Sequence, residues 1–336
     1  MTRLRFDESL PVKDLEECLR IAREMVPRVK EDWTGRELEE EVFTNGITNK
    51  IFSLFPKGEG KHDRLVFRVF GENTDRIIDR VHELEQWERL AASRLAAPLY
   101  ATFRNGIICC FLPGRPLTVD SLRRPDITKE TARAMARMHQ IPMESKEPCT
   151  WPKLERFLSN LDHNFDYGKG HQRYSEVFGE VDLAKRVAEL REEIDRLKPD
   201  IAFCHNDLLI HNIIHDEDKG TISFIDYEYA DPNYELFDIG NHFNEYSGVD
   251  NPDFTRCPTR EEKRKWLELY GSFRGRGNDG IEETLDILPL FEAASHLFWA
   301  VWALVQAQNS SIAFDYLGYA CDRFSEYERK LSAYLS

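Results

Sequence analysis

Positive charge is in short supply in this chain of 336 residues: 45 Lys and Arg face 60 Asp and Glu, a net of −15. A surface of that sign has no general basic field to replace the counterions around phosphates. That excludes nucleic acid and anionic membranes as general partners. It suits a small cationic substrate, and equally an ordinary acidic soluble protein. Paired cysteines are missing too. The seven Cys are odd in number and contain no C-x-x-C, which points to free thiols in a reducing compartment rather than a disulfide frame or a zinc site. Long apolar runs are also absent: the longest, residues 297–305, falls far short of the roughly 20 residues that span a bilayer. The opening MTRLRFDESL lacks the apolar stretch of a signal peptide. The expectation is a cytosolic protein without membrane insertion.

What is present is enough apolar residue, 41% of the chain, to build real cores. Residues 14–30 carry apolar positions at helical spacing, broken late by Pro27. Residues 42–55 hold two β-rich runs around Asn45-Gly46, a hairpin signal, and LVFRVF (65–70) reads as a third strand. An amphipathic helix is expected over 75–95, then a second hairpin over 99–112 around Asn105-Gly106. After LPGRP the texture becomes helical over 127–141, 154–165 and 181–197, and again from about 290 to 334. The β-like pieces FCHNDLL, NIIH and TISFIDYEY interrupt it once. We therefore expect an α+β chain with a small β-rich lobe over 1–112 and a larger, mainly helical lobe over 113–336.

FCHNDLLIHNII (203–214) sets ionisable and polar side chains between two apolar runs, an expensive placement without paired partners or a chemical task. His205, Asp207 and Asn212 follow the spacing H-x-D-x-x-x-x-N, and TISFID brings Asp226 nineteen residues after Asp207. Two carboxylates and an amide supply hard oxygen ligands for Mg²⁺ beside phosphates, with one carboxylate left to orient a hydroxyl. The spacing matches the catalytic loop of the protein-kinase-like fold, and Asp226 stands where that fold keeps its metal-binding Asp. A satisfied polar turn is the alternative.

NGITNKIF, LVFRVFG, APLYATFRNG, HNDLLIHN, IDYEY, FDIGNHFNE and SHLFWAVWALVQAQNSSIAFDYLGYA together resemble the choline/ethanolamine kinases over nearly the whole chain. NHFNEYSGV looks more like the ethanolamine branch. The resemblance implies ATP and Mg²⁺ as cofactors, and phosphorylation of ethanolamine to phosphoethanolamine, the first step of the CDP-ethanolamine route to phosphatidylethanolamine. It implies that Asp207 deprotonates the substrate hydroxyl, that Asn212 and Asp226 hold Mg²⁺, and that His205 braces the loop. Thr48 and Asn49 would give polar contacts from a turn over the phosphates, although a plain hairpin explains that stretch equally. Arg68 takes the place of the phosphate-binding Lys, with Glu83 its ion-pair partner and Glu85 an alternative one register away.

Around the substrate amine the resemblance places Glu245, Trp299, Trp302, Tyr316 and Tyr319, with Trp299 and Tyr316 the foremost pair. Aromatic stripes at helical spacing are also what an ordinary core requires. Asp238 either braces the catalytic loop or caps a helix. Cys109-Cys110 replaces an aromatic–Glu pair of many relatives and is either small packing or a redox pair. The rival functions are choline kinase, an aminoglycoside-type kinase and a nucleotide-binding pseudokinase; the last predicts losses among Asp207, Asn212 and Asp226, and none is lost. A homodimer is left open.

Overall fold

The computed structural model describes residues 3–43, 49–58, 63–71, 79–162, 164–249, 251–310 and 312–336. In chain order they form β1 (Leu4–Arg5), α1 (Leu15–Val29), β2 (Leu38–Phe43), β3 (Asn49–Pro56), β4 (Leu65–Phe70), α2 (Arg80–Ala92), β5 (Leu99–Phe103), β6 (Gly106–Cys110) and β7 (Arg115–Pro116). Next come α3 (Pro125–Met138), α4 (Thr150–Ser159), α5 (His171–Phe178), α6 (Leu183–Leu197), β8 (Ile201–Cys204), β9 (Ile213–Asp216), β10 (Thr221–Phe224) and β11 (Asp231–Tyr234). The chain ends with α7 (Glu235–Asn244), α8 (Arg260–Phe273), α9 (Ile281–Asn309) and α10 (Tyr316–Leu335). Two compact units emerge: residues 1–116 with 214–228, and residues 117–213 with 229–336. The sequence reading places one boundary near Pro113; in the structure residues 214–228 group with the first stretch.

The first unit is built on a six-stranded sheet ordered β1-β5-β6-β4-β3-β2, antiparallel except for β1 beside β5. Its strand–strand–strand–helix–strand–strand core follows the expected order, with β1 added at the edge. The two-residue alternation of β4 sends Leu65, Phe67 and Val69 into a core shared with Cys18, Ala22, Met25 and Val26 of α1. Arg68 is thereby turned to the other face. Helix α2 begins at Asp79, whose carboxylate accepts from the N–H groups of Val81 and His82, and buries Glu83, Gln86, Trp87 and Leu90 on one stripe. Residues 75–78 of that expected helix, and the Asn45-Gly46 pair, lie outside the described residues.

The second hairpin corrects its sequence signal. Phe103 pairs with Gly106, so the two connecting residues are Arg104 and Asn105, and neither has the positive φ of an Asn-Gly turn. The Asn105 side chain instead bridges to Leu10, accepting from its N–H (2.9 Å) and donating to its carbonyl (2.7 Å). Gly106 is needed for closeness: a Cβ there would lie 2.2 Å from the Phe103 ring and 2.3 Å from the Arg68 carbonyl oxygen.

The second unit is helical around a two-stranded β8–β11 ribbon. The expected helical stretch at its C-terminal end is two helices: α9 starts at Ile281 and carries Pro289 within it, and α10 is separate from it. Helix α4 likewise ends at Ser159, short of residue 165. Helix α9 is long and apolar enough by composition to cross a membrane, but 83% of its apolar window is buried, so it is a core helix. Gly240 lets the backbone of α7 approach that of α9: an added Cβ would come within 3.0 Å of the Glu292 nitrogen.

Candidate active site

In the first unit, Arg68 and Arg80 meet three carboxylates. Arg68 Nη1 lies 3.2 Å from Glu83 Oε1, and its Nη2 lies 2.8 Å from Asp226 Oδ1 and 3.0 Å from Glu228 Oε2. Arg80 Nη1 completes the network, 2.6 Å from Glu83 and 3.4 Å from Glu228. Burial opposes the charge on Arg68, but Asp226, Glu83 and Glu228 together hold the guanidinium above its ordinary value. Burial, and then the neighbouring Asp226 carboxylate, push Glu228 up to about 8 against the pull of Arg68. Asp226 does not end the strand as expected. It follows β10 with φ +64°, and its side chain, 29% exposed, is the most open carboxylate of the three. Glu85 is exposed, so the alternative partner for Arg68 is discarded.

Oxygen atoms of Glu83, Asp226 and Glu228 all lie within 4.8 Å of one another. Such a set of hard donors, with Asp226 open to solvent, fits a small divalent cation. Thr48 and the side chain of Asn49 are outside the described residues; the Asn49 backbone opens β3 opposite Phe70. Cys109 is buried and burial, followed by the Cys110 thiol, pushes it up to about 12, which makes it inert packing rather than a redox sensor.

In the second unit the catalytic loop hangs from Asp238. Its Oδ2 accepts from the His205 backbone N–H (2.9 Å) and from His139 Nε2 (2.9 Å), and its Oδ1 accepts from the Asn206 N–H (2.8 Å). The Tyr270 hydroxyl meets His139 Nδ1 at 2.6 Å. Burial alone would raise the Asp238 carboxyl, yet the His139 hydrogen bond and the charge nearby hold it below the usual range. Asp238 thus braces the loop and is no helix cap. Asn206 takes φ +67° and donates to the Tyr229 carbonyl (2.9 Å), which fixes the bend before Asp207. Asn212 Nδ2 donates to the Asp207 carbonyl (2.9 Å), and His205 is fully buried. Asp207 itself is half-buried at the loop's surface.

The expected aromatic residues form one cluster. Trp299 meets Trp302 edge-on at 5.4 Å, Trp302 meets Tyr316 at 5.8 Å, and Phe314 links Tyr316 and Tyr319. They differ in burial: Trp299 and Tyr316 are buried, and the Trp299 N–H is taken by Asn241 Oδ1 (2.8 Å), whereas Trp302 and Tyr319 are half-buried. Three residues along a helix is only about 60° off in projection, enough to turn one indole inward and the other outward. Glu245 is ion-paired through Oε1 with the buried Arg323.

Several residues of these clusters have weaker signals in the sequence. Glu228 was visible in principle, two positions after Asp226 in IDYEY. Tyr229, whose hydroxyl accepts from Trp302 Nε1 (2.7 Å) and whose ring meets Trp299 edge-on at 5.2 Å, stands next to it. Arg80, three residues before Glu83, and Arg323, four after Tyr319, carry only weak local signals; their long-range partners mark them.

A small sheet unit carrying an Arg–Glu pair, and a helical unit carrying a braced H-x-D-x-x-x-x-N loop, define a protein-kinase-like phosphotransferase. The profile described as choline/ethanolamine kinase matches residues 41–328, and the chain belongs to that family. Mouse ethanolamine kinase 2 is 37% identical over 315 residues, covering 92% of this chain and 80% of its own. Human ethanolamine kinase 1 is 35% identical over 333 residues, covering 95% and 74%. Among solved structures, a Plasmodium vivax ethanolamine kinase superposes with TM-score 0.81 at 25% identity, over 94% of this chain and 89% of that one. A Cryptosporidium parvum choline kinase, at 22% identity and TM-score 0.76, shares the fold.

Proposed function

We propose that this chain is an ethanolamine kinase, transferring the γ-phosphoryl group of ATP to the hydroxyl of ethanolamine. The observation that carries it is the 35–37% identity to ethanolamine kinases across more than nine-tenths of the chain. In the reaction the hydroxyl oxygen forms a bond to the γ-phosphorus, the bond to the β–γ bridging oxygen breaks, and ADP leaves. Asp207 takes the hydroxyl proton, held in place by the Asp238-anchored backbone on one side and Asn212 on the other. Arg68, kept cationic by its carboxylate neighbours, stands where the family pattern has its phosphate-binding Lys. Asp226 is the carboxylate we assign to Mg²⁺, and Asn212 keeps the metal role that the family pattern gives it. When bound, Mg²⁺ supplies charge neutralisation to the polyphosphate. Trp302 and Tyr319 present ring faces to the ammonium. We place the reaction at the head of phosphatidylethanolamine synthesis.

A coupled ADP-release assay with ethanolamine, choline and an aminoglycoside side by side tests the reading. The expected order of kcat/KM is ethanolamine, then choline, with no aminoglycoside turnover. A choline value at or above that for ethanolamine would move the chain to the choline branch.

A further inference from the structure

Arg323 is 2% exposed, in the middle of α10, and each arm of its guanidinium holds a different element. Nε donates to the Tyr319 hydroxyl (2.9 Å) one turn back on α10. Nη1 meets Nδ1 of His296 on α9 at 3.2 Å, and Nη2 pairs with Oε1 of Glu245 just after α7. The guanidinium carbon also lies 5.0 Å from the Tyr319 ring centroid. Burial, and then the Arg323 charge, hold His296 far below its ordinary value, so its ring is neutral and can accept. Among the described residues no donor reaches the second oxygen of Glu245. Taking a guanidinium out of water is costly, and an apolar residue would have packed α9 against α10 as well. Two of its partners, Glu245 and Tyr319, are residues that the family resemblance places around the substrate amine.

We propose that Arg323 is the positioning residue that sets amine selectivity: it clamps one oxygen of Glu245 and the hydroxyl of Tyr319, leaving the other oxygen of Glu245 as a directed acceptor for an ammonium N–H. This rests on the ethanolamine reading above. The clamp has two effects. It cancels the net charge of Glu245, which weakens the undirected attraction available to any cation. It also fixes the carboxylate plane, so that a group with N–H donors gains a hydrogen bond that a trimethylammonium cannot make. Selectivity then comes from direction more than from charge.

The test is steady-state kinetics with ethanolamine, its N-methyl and N,N-dimethyl derivatives and choline, for the wild type, Arg323→Met and Arg323→Lys. In Arg323→Met the KM for ethanolamine should rise about tenfold or more while that for choline moves less than about threefold, so discrimination collapses progressively along the methylation series. The KM for ATP should hold, and Arg323→Lys should recover part of the discrimination, because it retains charge and a donor. A general loss from a distorted helix pair would lower all four amines together. Should Arg323→Met not fold, Tyr319→Phe, which deletes the hydroxyl held by Nε, is expected to shift the ratio the same way. An ethanolamine-to-choline ratio within about twofold of wild type in the variants that fold would overturn the proposal. The wild-type preference, read in the same assay, separately decides the ethanolamine reading.

Discussion

At the scale of single residues, the proposed chemistry concentrates on Asp207, and its surroundings say why it is held so firmly. Asp238 ties down the two preceding backbone N–H groups, and Asn212 ties down the carbonyl of Asp207 itself. Asp207→Ala should lose about 10³-fold or more in kcat while the KM for ATP stays near wild type. Turnover within tenfold of wild type would remove Asp207 from the role of base. These positions were legible because a short loop compresses them into one spacing pattern. Arg323 and Glu245, 78 positions apart, have no such signature. An ion pair between residues so distant is written in the packing of α7, α9 and α10, and no local periodicity encodes it. The different burial of Trp299 and Trp302 has the same origin, since spacing identifies a helix face but not which edge of that face meets the core.

Elements carry the next set of constraints. The sheet of the first unit depends on β4 and β6 coming close at Gly106, where the Arg68 carbonyl leaves no space for a methyl group. Gly106→Ala should cost about 3 kcal/mol in urea unfolding, at the upper end of what overpacking usually does. A cost below about 1 kcal/mol would mean that β4 and β6 separate without strain. The Asn-Gly signal thus located a hairpin correctly while the physical reason for the glycine was a different one, a close approach that no single-sequence turn rule contains.

Helix α7 holds a second constraint, at His242. Its ring is buried among Phe243, Tyr246 and Trp266. Burial lowers it from 6.5 to about 4, opposed by the Asp238 charge. The unfolded chain therefore takes up this proton first as pH falls. The stability tied to His242 is whole above pH 6.5 and shrinks as pH drops toward 4, by roughly 3 kcal/mol. His296, also held low by burial, adds to the same slope. Urea midpoints between pH 7 and pH 4.5 should fall less steeply for His242→Leu than for wild type; parallel slopes would show that His242 protonates freely in the folded protein.

For the whole molecule, composition, element order and fold class were readable because each is a sum or a repeating pattern along the chain. The grouping of residues 214–228 with residues 1–116 was not, since it depends on which strands pair after the chain has left and returned. That excursion has a consequence for biosynthesis. Arg68 and Arg80 emerge from the ribosome long before Asp226 and Glu228, two of the carboxylates that neutralise them. The first unit is not complete until residue 228 has been translated, so its sheet, whose strands all lie within residues 4–110, waits through more than a hundred further residues with two guanidiniums only partly compensated. A fragment of residues 1–116 expressed alone should be poorly protected against proteolysis and prone to aggregate, whereas supplying 214–228 through a linker should rescue it. Equal protease resistance of the two fragments would mean the early strands fold without the late segment. For a nascent chain, the N-terminal unit is begun long before it is completed.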